Sequence, residues 1–259
     1  MNIVITGGTR GIGFAMAKQF LLKGHTVVIS GTKTESVKKA VLELNSNRVF
    51  GFKCKVESIN EVEAFYSFAE EKLNTIDIWI NNAGINQPQK FFSELKYDEY
   101  KKVIDVDLLG LMNGTNVALS HMANHGCGHI YNMEGLGSDG RIARGSIVYG
   151  TAKRAVRYFT IAVAKEAEKS GVCIGRISPG MVLTDFLLKN VENNTPESNR
   201  IKKVFNILAD RPEVVTAYLN TKILKNTKNN SYIAWLTTPK IIFRFLTAFR
   251  RKNRFFKTV

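Results

Sequence analysis

Thr6-Gly7-Gly8-Thr9-Arg10-Gly11-Ile12-Gly13 follows directly on the β-branched run Asn2-Ile3-Val4-Ile5, and an amphipathic stretch from Gly11 to Lys23 comes after it. Strand, glycine-rich turn and helix in that order form the phosphate-facing corner of a βαβ unit. The glycines allow a tight turn, a close backbone approach to a pyrophosphate and close packing of helix on strand. The helix N-terminus adds unpaired N–H groups and a partial positive charge. Here the spacing is Gly-x-x-x-Gly-x-Gly, with Thr9, Arg10 and Ile12 between Gly7, Gly11 and Gly13.

Working outward, short β-branched runs keep alternating with stretches of helical period, which predicts a parallel sheet covered on both faces. Strands are expected at Asn2–Thr6, Thr26–Ser30, Val49–Lys53, Ile76–Asn81, His129–Met133 and Val172–Ile177. Helices are expected at Gly11–Lys23, Thr34–Asn45, Ile59–Leu73, Asp98–Asn124 and Ser146–Ser170. Right-handed crossovers turn this order into a single α/β, Rossmann-type doubly wound domain over 1–237, with its ligand crevice at the carboxyl ends of the strands. The Asn-rich stretch Asn190–Asn199 reads as a loop, and Thr238–Val259 as a basic amphipathic tail.

The second strand should end beside an adenosine ribose, where a carboxylate would bind the 2′-hydroxyl of NAD. Gly31, Thr32 and Lys33 stand there instead. With Arg10 in the turn and Lys33 nearby, a 2′-phosphate would find charge-assisted donors, so NADP(H) is favoured over NAD(H). Both cations also read as ordinary solvated surface groups.

Composition bounds the reading. The chain has 259 residues, 44% of them hydrophobic, and a formal net charge of +15. From Arg200 onward stand 14 Lys and Arg against Asp210 and Glu213, so most of the charge belongs to the C-terminal segment. No recognition motif or aromatic platform accompanies it, which argues against nucleic acid. The tail interleaves Ile241, Ile242, Phe243, Phe245, Leu246 and Phe249 with cations and contains no acid. Two arrangements satisfy it: a helix lying on an anionic membrane surface, or an apolar face docked on the domain or a neighbouring subunit with its cations solvated. It is too charged to span a bilayer. The first residues lack a secretory pattern, so the expectation is a cytoplasmic chain, with membrane contact at most peripheral. Cys54, Cys127 and Cys173 imply no disulfide framework. His121, His125 and His129 lack a zinc spacing, and no metal is expected.

Tyr149 and Lys153 are spaced i,i+4 near the start of a helix and share one face. A nearby ammonium favours phenolate, which makes the pair a proton donor for a carbonyl receiving hydride. With the glycine turn, Asn81-Asn82-Ala83-Gly84 and Ser178-Pro179-Gly180-Met181-Val182-Leu183-Thr184, the chain resembles the short-chain dehydrogenase/reductase family over nearly its whole length. The resemblance implies that Asn82, Ala83 and Gly84 line the cofactor, with Val56 and Pro179-Gly180 at neighbouring strand ends. It also implies that Val182 and Thr184 hold the nicotinamide carboxamide, that Lys153 contacts the ribose, and that the protein forms a homo-oligomer.

Three positions depart from the family pattern. Asp107 stands where relatives carry the Asn of a proton relay, Gly135 where they carry a serine, and Lys55 where an aspartate often meets adenine. Ser138 is the nearest substitute for the missing hydroxyl and is expected to polarise the substrate oxygen. Ile130–Ser138, Ser178–Thr184 and Leu236–Ile241 look most like the chlorophyll(ide) b reductase branch, which reduces a formyl group on a chlorin. The expectation is an NADP(H)-dependent oxidoreductase acting on a bulky aldehyde or ketone. The alternative is a nicotinamide-binding sensor or scaffold whose altered Asn and Ser positions have removed the chemistry. The pocket itself should be shaped by Asp185–Leu208 and the tail.

Overall fold

The computed structural model describes residues 1–142, 144–185 and 196–256. The strands are β1 (Asn2–Ile5), β2 (Thr26–Gly31), β3 (Val49–Lys53), β4 (Ile78–Asn81), β5 (Gly128–Met133), β6 (Val172–Ser178) and β7 (Ser231–Ala234). They form one sheet in the order β3-β2-β1-β4-β5-β6-β7, and every pairing is parallel. The order reverses direction at β1, so β1 and β4 diverge and open a crevice at their carboxyl ends.

Alternation along the strands sends side chains to two cores. Ile3 and Ile5 of β1 join Met16, Phe20, Val27, Ile29, Ile78 and Leu219 on one face. Val4 joins Val28, Phe65, Tyr66, Trp79, Val117 and Ile130 on the other. The first face is covered by α1 (Gly11–Leu22), α2 (Thr34–Leu44) and α8 (Pro212–Leu224). The second is covered by α3 (Ile59–Leu73), α5 (Gly110–His125) and α6 (Ile147–Glu166). Sheet strands buried on both sides need near-continuous apolar sequence, which β1, β2 and β4 have. Beneath β4 and β5, Asn81 receives Trp79 Nε1 at 2.8 Å and donates to Asn132 Oδ1 at 2.8 Å, while Asn132 Nδ2 donates to Thr160 Oγ1 at 3.0 Å. This buried chain fixes β4 and β5 against α6 below the crevice.

The structure corrects several boundaries. Strand β4 begins at Ile78, two residues later than its expected start at Ile76. The single helix expected over Asp98–Asn124 is two: α4 (Tyr97–Ile104) and α5, joined by one π-helical turn at Asp105–Leu109. That turn holds Asp107 fully buried, and a widened turn of this kind is often found at functional sites. Strand β7 was not expected. Of the stretch Asn190–Asn199, residues 190–195 lie outside the described residues, and 196–199 open α7 (Pro196–Leu208).

The tail does not dock its apolar face on the domain with its cations solvated. In α9 (Thr238–Leu246) Arg244 is buried, while Ile242, Phe243, Phe245 and Leu246 are exposed. The cause is Asp210, just past the end of α7. Its carboxylate receives Trp235 Nε1 at 2.8 Å and Arg244 at 2.6 Å, with Arg251 at 3.2 Å and Arg254 at 3.4 Å. The same guanidinium groups donate to the carbonyls of Ile207, Leu208 and Ala209, which helix geometry leaves without internal partners. The arginines therefore face inward and the aromatics outward. Residues 257–259 of the tail lie outside the described residues.

Candidate active site

The glycine turn is clamped from β4. Asn82 Nδ2 donates to the carbonyls of Thr6 at 2.9 Å and Gly7 at 3.0 Å. Thr6 Oγ1 in return accepts from Asn82 N at 3.0 Å and Ala83 N at 3.1 Å. A Cβ on Gly7, whose φ is +65°, would fall 2.7 Å from Ala83 Cα, and one on Gly13 would overlap Asn82 Nδ2. The turn thus needs glycine at both places, because the β4 segment is pressed against it.

Gly11 faces Thr184, whose Cγ2 would lie 3.6 Å from a Cβ there. Arg10, Thr32 and Lys33 are exposed at the same edge. Val182 is buried and bridges Asp210, while Gly180 turns with φ +69° against Leu236. Val56 is buried against Gly110. The structure thus brings the residues expected around a dinucleotide, from Gly7 to Thr184, to one edge of the sheet. They fit the cofactor: a backbone cradle that any Cβ would fill, exposed cations beside it, and no carboxylate at the end of β2.

The groups expected to be catalytic adjoin that edge through Gly84, which packs on Asp107. Lys153 Nζ sits 3.1 Å from Asp107 Oδ2, and both side chains are buried, with exposures of 4% and 0%. Lys153 also lies 3.5 Å from the Met133 carbonyl, and Asp107 Oδ1 accepts from Ile85 N at 2.7 Å. Gly84 leaves room for this carboxylate, since a Cβ there would stand 3.1 Å from Oδ2. Lys153 Nζ is 5.6 Å from the centre of the Tyr149 ring.

Burial raises the Asp107 carboxyl above the ordinary carboxylate range, against the pull of the Lys153 ammonium and the Ile85 N–H. Burial, then the Asp107 charge, pushes the Tyr149 phenol well above its usual value. The expected lowering of the phenol by Lys153 is therefore reversed: the ammonium is matched by a carboxylate, and the hydroxyl is desolvated.

Two further positions explain the missing serine. A Cβ on Gly135 would overlap Tyr149 Oη and come within 3.1 Å of Lys153 Cγ, so the tyrosine hydroxyl occupies the space a side chain would need. Ser138 is buried, and its Oγ donates to Glu134 Oε2 at 3.1 Å. Glu134 is itself 3.4 Å from Arg176. The Ser138 proton is thus committed to a carboxylate and is not presented to a substrate oxygen. Sequence reasoning missed Gln87, whose Oε1 accepts from Tyr149 N at 3.1 Å. A lone glutamine in a loop carries no pattern that would single it out.

Among the histidines, His121 stacks on Tyr66 with ring centres 4.2 Å apart, and His125 faces Glu70 at 3.9 Å. Among the described residues, no group of three or more metal-binding side chains comes together.

Residues 1–195 match the family model described as short chain dehydrogenase. A protein of Oryza sativa subsp. japonica named "Chlorophyll(ide) b reductase NOL, chloroplastic" is 37% identical over 100% of this chain and 75% of its own length. One of Arabidopsis thaliana named "Probable chlorophyll(ide) b reductase NYC1, chloroplastic" is 34% identical over 98% of this chain and 54% of its own length. This chain thus spans about half the length of some of the curated relatives it matches. Among solved structures, levodione reductase superposes with a TM-score of 0.79 at 25% identity, covering 90% of this chain and 95% of that one. ElxO with NADP bound gives 0.78 at 26% identity, covering 90% and 96%. With its parallel sheet, its clamped glycine turn and its Tyr149–Lys153 pair, the chain belongs to the short chain dehydrogenase family.

Proposed function

We propose that this protein is an NADP(H)-dependent oxidoreductase that transfers hydride between nicotinamide and the carbonyl of a bulky aldehyde or ketone, in the manner the names of its chlorophyll(ide) b reductase relatives describe. The observation that carries the reading is the buried Lys153–Asp107 pair, with Tyr149 beside it, packed against Gly84 two residues after the Asn82 that clamps the glycine turn. When bound, the reduced cofactor supplies the hydride. The turn from Gly7 to Gly13 would hold its pyrophosphate, Arg10, Thr32 and Lys33 its adenosine end, and Val182 and Thr184 its carboxamide. Tyr149 gives the phenol proton to the substrate oxygen as the carbonyl carbon receives the hydride. Lys153, seated on Asp107 and the Met133 carbonyl, orients the tyrosine and reaches the ribose. The phenol holds the proton to be given, and efficient transfer requires its pKa to fall towards the working pH in the loaded site.

The preference for NADP(H) is supported by Arg10, Lys33 and the absence of a carboxylate after β2. A homo-oligomer is supported by the apolar side chains that α5 and α6 leave exposed, among them Met112, Tyr158 and Ile161. Peripheral contact with a membrane is supported by the outward-facing Phe243, Leu246 and Phe249 beside the exposed Arg250 and Lys252. No helix among the described residues is long and apolar enough to cross a bilayer.

The test is direct. NADPH binding is titrated first, and its oxidation is then followed with formyl-chlorins and a panel of bulky aldehydes and ketones. Tyr149→Phe should bind NADPH normally and lose turnover. Tight binding without oxidation of any carbonyl would instead identify a nicotinamide sensor.

A further inference from the structure

Gly135–Ser138 forms a tight turn between β5 and the tyrosine, closed by a bond from Ser138 N to the Gly135 carbonyl at 3.2 Å. Its backbone runs along Tyr149. A Cβ on Gly135 would overlap Tyr149 Oη, and one on Gly137 would stand 2.5 Å from the Cα of Gly150, the next residue in α6. The turn is thus one wall of the space that holds the phenol. Its own residues fix it weakly, since two of the four are glycines and Gly137 has φ +98°. Glycine loses more backbone freedom on ordering than any other residue, so groups outside the turn must hold it.

Two side chains do so, and both act on Ser138. Glu134 Oε2 accepts from Ser138 Oγ at 3.1 Å, and Arg154, the residue after Lys153 in α6, donates from Nη1 to the Ser138 carbonyl at 3.0 Å. The Glu134 side chain is fully buried, and its other oxygen lies 3.4 Å from Arg176 Nη1 on β6.

This buried ion pair is not needed to join the two strands. Backbone pairing already runs from Gly128 and Val172 to Met133 and Ile177, and Glu134 N donates to the Ile177 carbonyl at 2.8 Å. Nor is a buried pair a strong source of stability, because desolvation offsets much of the attraction. What the pair does secure is the direction of the Glu134 carboxylate, with one oxygen on Arg176 and the other on Ser138.

We propose that Glu134 and Ser138 are positioning residues: the carboxylate, seated on Arg176 and acting through the Ser138 hydroxyl, pins the glycine turn against α6 and so holds the Tyr149 phenol in the space beside Gly135. Ser138 then serves the tyrosine and not the substrate oxygen. For its effect on rate the inference rests on the reductase reading above; for its effect on the phenol it does not.

Ser138→Ala removes the hydroxyl and leaves the ion pair whole. With the turn released, the phenol gains water, and its titration should move down towards the ordinary tyrosine value of about 10. Tyrosinate absorbance, taken as the difference from the matching Tyr149→Phe protein, reads this without any substrate. A displacement of about 1 Å should lower kcat on the order of 100-fold, while KM for NADPH stays within about twofold of wild type. Glu134→Gln tests the partner. If the two residues act as one unit, the double variant should lose no more in kcat than the worse single variant. Should the Glu134 variant fold too poorly to assay, the Ser138→Ala readings decide alone.

An unmoved Tyr149 titration with kcat within about threefold of wild type overturns the assignment, however early the variant melts. A loss of kcat with the titration unmoved overturns it too, since Ser138 would then be acting on the substrate. A titration that moves in a protein that reduces no carbonyl upholds the positioning and overturns the reductase reading alone.

Discussion

A Cβ on residue 135 would overlap the hydroxyl of Tyr149, so a side chain there and the tyrosine compete for one volume. A serine at this position cannot simply be introduced here. Gly135→Ala and Gly135→Ser should both displace the phenol, and a shift of about 1 Å in a reacting group costs on the order of 100-fold in rate. Steady-state kinetics with the best carbonyl found in the panel would check this. A Ser variant more active than wild type would show that the tyrosine has room that the structure denies it.

Asp107 is the second of two causes that raise the pKa of the same hydroxyl. Reduction needs the phenol form of Tyr149, so activity should stay level up to the tyrosine's raised pKa and fall above it. Burial is the larger cause of that rise and the Asp107 charge the second. Asp107→Asn removes the charge and leaves the Lys153 ammonium unmatched, which favours phenolate. Wild type should therefore hold its kcat to the alkaline end of the measurable range, while the variant's alkaline limb should move down towards or into it. Tyrosinate absorbance, read as the difference between each protein and its Tyr149→Phe counterpart, should move with it. An unchanged limb would mean that the two charges do not act on the hydroxyl.

The parts of this site that could be read in the sequence are those whose physics is local. The glycine turn needs only a strand before it and a helix after it, and Tyr149 and Lys153 share a face because of helical spacing alone. The strands of the first half follow from runs such as Asn2–Ile5, buried on both faces. What could not be read depends on contacts made across the fold. The π turn at Asp105–Leu109 has no sequence period of its own and turns Asp107 towards Lys153, 46 positions later in the sequence. Gly135 looks like a lost serine until the packing of Tyr149 is known. Strand β7 opens on Ser231 and Tyr232, lacks the apolar run that marks β1, and is recruited by its pairing with β6. The inverted face of α9 follows from one carboxylate, Asp210, which no periodicity within the tail could reveal.

Lys240 offers a spectroscopic test of how the tail is seated. Its ammonium lies over the Trp235 ring, 2.8 Å from the ring centre. Burial, then the neighbouring Arg244 charge, lowers its pKa to about 8. An ordinary lysine titrates near 10.4. Below pH 8 the cation should perturb the indole, and as pH rises through about 8 that perturbation should vanish. Trp235 fluorescence should therefore titrate with a midpoint near 8, and Lys240→Met should abolish the transition. A midpoint near that of free lysine would place the side chain in solvent.

Asp210 ties the tail to the segment expected to hold the nicotinamide. Its backbone pairs with Met181 and Leu183, at 3.1 and 3.0 Å, while its side chain holds Trp235 and three arginines. Burial alone would raise this carboxyl, but the Trp235 N–H and the guanidinium groups of Arg244 and Arg251 bring it below the ordinary range. A depressed carboxyl stabilises the fold fully above its unfolded pKa of about 3.9, and that contribution is lost as pH falls through the lower folded value. Asp210→Ala at neutral pH leaves buried Arg244 without its carboxylate, a loss on the order of 3 kcal/mol. For a domain of this size that corresponds to about 6–12 °C in melting temperature. The gap between variant and wild type should begin to close as pH falls below about 4, where the unfolded carboxyl takes up its proton, and should close fully only below the lower pKa of the folded carboxyl. Because Met181–Leu183 is anchored on the same residue, NADPH affinity should fall in parallel with the loss of stability at neutral pH. A variant that melts early but binds NADPH as tightly as wild type would show that the tail braces the fold without bracing the cofactor edge.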